Sequence, residues 1–147
     1  MQIEFTKQQF KNLLKLIYLG EWMTNAHRTD DRIKKYEDML NYIFSYAKKF
    51  GFEKYVDDED VNNGKFYPTR FFEEKTDVDQ LHEEYDDKTF WDELIHRLGK
   101  RDFFRKYSKN EIKKMSEEEW FEKFYRCINK WGDEVDKYEI ERLSIKK

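Results

Sequence analysis

The stretch IKKYEDMLNYIFSYAKKF, residues 33–50, carries the strongest structural signal in the chain. Its apolar members Ile33, Tyr36, Leu40, Ile43, Ala47 and Phe50 recur at alternating intervals of three and four. That spacing lays side chains in one stripe along an α-helix. The helix is expected to begin after Thr29, with Asp30 and Asp31 favourably placed at the positive end of its dipole. Gly51 supplies the C-terminal stop.

The flanking sequence reads as more of the same. Thr6 and Gln9 have the spacing of a capping box, so a first helix is expected from there to about Arg28. Beyond the central stretch, Asn62-Asn63-Gly64-Lys65 between Val61 and Phe66 predicts a β-hairpin near residues 60–67, closed by Pro68. A short helix is expected from Val78 to Tyr85 with Leu81 inward, and another from Thr89 to Leu98, closed by Gly99. Phe103, Phe104 and Tyr107 read as an apolar turn. Ser108 with Glu111 and Ser116 with Glu119 make two further capping boxes. The second opens a helix bearing Trp120, Phe121, Phe124, Tyr125, Ile128 and Trp131, stopped at Gly132. Weak alternation at Ile3 and Phe5, and again at Tyr138, Ile140, Leu143 and Ile145, allows the termini to pair as strands. The expectation is mainly α: a compact bundle of five or six helices with a small hairpin, as a single domain over residues 1–147.

Composition agrees with a folded chain. Of the 147 residues 41% are charged, which leans towards disorder, yet 18% are aromatic, and disordered chains lack aromatics. The 13 Phe, 10 Tyr and 4 Trp are large enough for a few to build a core. The lone Cys127 excludes an intramolecular disulfide. No leader-like start and no apolar run of about 18 residues is present, so the expectation is a soluble, cytoplasmic protein without a membrane segment.

Two features bear on function. The first helix is apolar nearly all round, which predicts a central position, yet its second half carries Glu21, Asn25 and Arg28. These form either a structural network at i,i+4 and i,i+3 spacing, or a ligand site in which Arg28 holds an anion and Glu21 orients or deprotonates a substrate. The structural reading is preferred. The second feature is charge segregation. Residues 53–93 hold 15 acidic and 5 basic side chains, whereas residues 97–114 hold 8 basic and 2 acidic. Fields of that kind steer partners.

Arg97, Arg101, Arg105, Lys106, Lys109 and Lys113 interleave with aromatics, the composition of a single-strand nucleic-acid surface. Glu117, Glu118 and Glu119 at the start of the next helix oppose that reading, because they would face phosphates. Asp57 to Asp60 lack the ligand spacing of a calcium loop. Glu73, Glu74, Asp77, Glu84 and Asp87 lack that of paired magnesium motifs. His27, His82 and His96 are far apart, and no phosphate loop, zinc spacing or nucleophile elbow is present. No cofactor is implied. The leading expectation is a non-enzymatic interaction or regulatory module with a protein partner, with self-association open. A ligand-binding protein or enzyme using Glu21, Asn25 and Arg28 comes second, and nucleic-acid binding through residues 97–114 third.

Overall fold

The computed structural model describes residues 3–57 and 65–144. Its backbone contacts divide the chain into two compact units, Met1–Glu83 and Glu84–Lys147. Among the described residues there are six α-helices and one two-stranded sheet: α1 Lys7–Asn25, α2 Lys34–Phe44, β1 Val56–Asp57, β2 Tyr67–Pro68, α3 Arg70–Lys75, α4 Val78–Lys106, α5 Lys109–Lys114 and α6 Glu117–Tyr138. The mainly helical class is as expected from sequence.

In the first unit α1 starts at the expected place. Thr6 accepts from the Gln9 backbone while the Gln9 side chain reaches back to Thr6, so two otherwise unpaired N–H groups are satisfied. α2 is shorter than its stripe predicts. The Ser45 hydroxyl bonds the Tyr42 carbonyl at 2.6 Å, an alternative to helical pairing, and the chain tightens into a 3-10 turn at Ala47–Phe50. Gly51 then stops it at φ 74°, the left-handed conformation that glycine takes without a Cβ penalty.

The core joins Phe10 and Leu14 of α1, Leu40 and Phe44 of α2, Ala47, Val56, Phe72 and Val78. Phe72 alone meets Tyr18, Phe44 and Tyr55 with ring centroids 5.4–5.5 Å apart. The other flank of α1 is not covered as expected: Leu16 is 67% and Met23 53% exposed. Two sides of a helix can be apolar while only one is matched by partners in its own unit.

The sheet is antiparallel, with Val56 opposite Pro68 and Asp57 opposite Tyr67. The small antiparallel pair expected from sequence is present: its second strand starts at Tyr67, inside the anticipated span of 60–67, its first precedes that span, and Pro68 is the last residue of the second strand. A two-stranded sheet has only edge strands, where proline's missing N–H is tolerated. The Asn62-Asn63-Gly64 turn lies outside the described residues.

The two helices expected between residues 78 and 98 are one with the turn that follows, and from Glu84 onward this helix belongs to the second unit. Nothing from Asp86 to Thr89 interrupts a helix, and exposed pairs at i,i+4 (Trp91 with Asp87, Lys88 with Asp92, Arg97 with Glu93) line the segment. Gly99, anticipated as a stop, sits buried inside α4 against Ile128 of α6. A Cβ there would stand 2.5 Å from Ile128 Cδ1 and 2.8 Å from its Cα. The glycine therefore lets two helix backbones approach.

Around that contact Phe103 packs edge-on to Trp120 and Phe124, which stack on each other at 4.6 Å. Ser108 and Glu111 form a full capping box, but at α6 only half of one exists. Ser116 accepts from the Glu119 backbone, while the Glu119 carboxylate is drawn to Lys123.

α6 passes through Gly132 and keeps helical spacing from Trp131 to Val135 and Tyr138, so residue 138 ends a helix instead of opening a strand. Glu139 turns the chain at φ 47°. Among the described residues neither 3–5 nor 138–144 forms a strand, so the expected terminal pairing is not formed there. Ile145 lies outside them.

The two glycines of α4 and α6 give opposite expectations. Gly99→Ala forces Ile128 to shift and should cost about 1–3 kcal/mol, the range for overpacking. Gly132→Ala meets nothing within 4 Å and should gain up to about 1 kcal/mol of helix propensity. Thermal unfolding of the two variants should move Tm in opposite directions.

Candidate interaction site

The polar end of α1 is built around one fully buried amide. Asn25 is 0% exposed. Its Oδ1 accepts the Ile33 N–H at 2.7 Å, and its Nδ2 donates to Glu21 Oε1 at 2.8 Å and to the Ile33 carbonyl at 3.3 Å. Ile33 is the residue that enters α2, and no side chain of its own caps that helix. Asn25 thus reaches from α1 to the main chain at the start of α2, in place of the Thr29 to Asp31 start signal anticipated from sequence.

Glu21 Oε1 also accepts from Arg32 Nη2 at 2.8 Å, which gives the half-buried carboxylate a cation. Arg28 does not join them. It donates to the Thr24 carbonyl at 2.9 Å and pairs with Asp31. The sequence brings Glu21 and Asn25 into view, but it misses Arg32 and the Ile33 main chain, because backbone partners across a corner leave no mark in side-chain spacing. Among the described residues every buried side-chain nitrogen and oxygen has a partner. The chemistry of Glu21 and Asn25 here is that of a staple holding a corner.

The second candidate lies on the last turns of α4 and on α5. Arg97 donates to Glu93 at 2.8 Å. Arg101 donates to Asp102 at 2.9 Å and stands 5.5 Å from the Trp131 ring centroid, while Lys106 stands 5.3 Å from that of Tyr107. Among the described residues Lys100, Arg105, Lys109, Lys113 and Lys114 are exposed and make no ion pair. The aromatics between them separate: Phe103 is buried, whereas Phe104 is 53% exposed amid the cations. An apolar turn read as a unit is in fact helical, and adjacent residues on a helix point to different sides.

Carboxylates are interspersed. Burial raises the Asp102 carboxyl, but hydrogen bonds from Trp131 Nε1 at 2.8 Å and from Arg101 outweigh it, so its pKa falls below the ordinary value. Glu111 is held low by the Ser108 hydroxyl and backbone N–H, and Glu93 by Arg97.

The remaining titratable groups are scattered. Glu73 accepts the Tyr18 hydroxyl at 2.8 Å; burial first, and that carboxylate second, raise the tyrosine's pKa. Asp77 is lowered by its bond to Lys15. His82 lies against the Trp22 ring, and His27 and His96 are exposed. Among the described residues no three His, Cys, Asp or Glu side chains are grouped so as to hold a metal ion, and no helix is long and apolar enough to cross a membrane. The chain matches no protein-family model, no curated protein and no solved structure.

Asn25→Ala should lower stability by about 1–3 kcal/mol in urea unfolding, because the part-buried Ile33 N–H loses its acceptor. Asn25→Asp should cost more at pH 7, where a second carboxylate faces Glu21 and the Ile33 carbonyl. Its folded pKa would be raised, so its deficit relative to the parent should shrink as pH falls and the new carboxyl is protonated.

Asp102 has the opposite sign. A depressed carboxyl binds fewer protons folded than unfolded, so its contribution is present above about pH 4 and is lost as pH falls through the folded value. Asp102→Asn should make the second unit's melting, followed by tryptophan fluorescence, less sensitive to acid.

Proposed function

We propose that the protein is a non-enzymatic interaction module that docks an acidic protein surface on the basic face of residues 97–114. The observation that carries this reading is the set of exposed cations without ion pairs, Lys100, Arg105, Lys109, Lys113 and Lys114, in a segment whose Phe104 ring is also exposed. Cations already paired in an interface of their own gain little from a partner. Free ones attract it from a distance, and the ring adds apolar area on contact.

The interspersed carboxylates Glu93, Asp102, Glu111 and Glu119 favour a protein over a nucleic acid. A phosphate backbone carries its charges on the main chain and cannot turn them away from these carboxylates, whereas a polypeptide carries its charges on flexible side chains that can turn aside, and a protein surface can also place a cation opposite. The Asn25 staple lends a ligand-binding role no support of its own, because its polar atoms are engaged within the chain.

Fluorescence anisotropy against labelled poly-L-glutamate and a labelled single-stranded oligonucleotide tests the reading. Binding to poly-glutamate at low salt should weaken steeply as ionic strength approaches and passes about 0.15 M, where the screening length is about 8 Å. Arg105→Glu, Lys109→Glu and Lys113→Glu together should abolish it. Tighter binding to the oligonucleotide would assign the face to nucleic acid, and binding to neither probe would end the proposal.

A further inference from the structure

The end of α6 encloses a cavity with the turn that follows it. Glu139 leaves the helix at φ 47° and ψ −124°, a conformation that a residue with a side chain adopts only at a cost. Local bonds then carry the chain round, from the Glu141 N–H to the Tyr138 carbonyl and from the Leu143 N–H to the Ile140 carbonyl, each at 3.0 Å. Between this turn and α6 lies a cavity of about 240 Å³. Backbone strain persists only where the surroundings hold it, and ligand clamps are among the places where it collects.

The apolar lining consists of Trp131, Val135 and Leu143. The Trp131 ring is fixed in place, because its Nε1–H donates to Asp102 at 2.8 Å. The polar lining carries both signs of charge: Lys130 and Arg142 against Glu134 and Glu139.

These charges satisfy one another poorly. Arg142 Nη1 stands 3.3 Å from one oxygen of Glu134 and 3.4 Å from the other. A closed bond between a guanidinium and a carboxylate measures about 2.7–2.9 Å. Among the described residues Lys130 and Glu139 make no ion pair. The Tyr138 ring, 4.4 Å from the Arg142 guanidinium, holds the arginine in position without using its N–H donors on a carboxylate.

We infer that this cavity is a binding site for a free amino acid with a branched apolar side chain. The ligand carboxylate meets Arg142 and Lys130, its ammonium meets Glu134 and Glu139, and its side chain lies on Trp131, Val135 and Leu143. A simple anion would face two unmatched carboxylates, and a simple cation two unmatched basic groups. A zwitterion satisfies both sets and replaces the long Arg142–Glu134 contact with two short ones. Size points the same way. A cavity of about 150 Å³ admits benzene, so this one takes about ten non-hydrogen atoms, the size of leucine or isoleucine and too little for a dipeptide. The site is separate from the cations of residues 97–114 and adds a small ligand to the protein partner proposed for them.

Calorimetric titration of the full chain with L-leucine tests the inference. Binding with a Kd of about 1 mM or tighter is expected for a ligand this small. 4-Methylpentanoate lacks the ammonium and 3-methylbutylamine lacks the carboxylate, and each should bind at least about tenfold more weakly, the cost of one charge-assisted contact. Arg142→Gln and Glu139→Gln should each weaken leucine binding by a similar factor. Both side chains are exposed, so circular dichroism and melting of these variants should match the parent. In the parent, leucine should shift the Trp131 indole N–H resonance and leave that of Trp22, in the other unit, unmoved.

Absence of heat and of any indole shift up to about 20 mM leucine, well above the expected Kd, overturns the inference. Equal binding of leucine and either analogue overturns it too, as does parental affinity in both variants. The triple variant at Arg105, Lys109 and Lys113 should bind leucine as the parent does. Loss of poly-glutamate binding with leucine binding kept thus separates the failure of one reading from that of the other.

Discussion

A chain in which 41% of residues are charged has few side chains with which to exclude water, and each must serve more than one element. Both units solve this with aromatic rings. Phe72 of α3 is the meeting point of rings from α1, α2 and the turn before β1 in the first unit. In the second, Phe103 of α4 meets Trp120 and Phe124 of α6. Protein interiors are packed as densely as organic crystals, so so small a stock of rings works only if the helices approach closely. The absent side chain at Gly99 allows that, with Ile128 filling the space a Cβ would need.

Polar groups divide by the same rule of exposure. Where water is excluded, an unmet donor or acceptor costs more than a made hydrogen bond returns, and Asn25 is accordingly bonded at both ends of its amide. Where water is present, pairs such as Arg97 with Glu93 are marginal and open to exchange. The buried network therefore specifies shape, and the exposed charges are those available to a partner.

Sequence disclosed what is local. The boxes at Thr6 and Ser108 formed because both partners lie within one turn, and Gly51 stopped its helix because only the main chain is involved. What depended on a distant neighbour stayed hidden. Gly99 read as a stop because Ile128 lies 29 residues away in sequence. α1 read as central because periodicity reports which sides are apolar and is silent on which are covered. At the candidate sites Asn25 and the basic residues were visible. The Ile33 backbone and the outward turn of Phe104 were not, since neither leaves a pattern in side-chain spacing.

Asn25 and Ile33 lie only eight residues apart. Chain ends that close together meet on a timescale of about 10–100 ns, and joining them sacrifices little freedom compared with a distant pairing. The bend between the first two helices is thus kinetically cheap, and it can be in place before residues remote along the backbone have found one another.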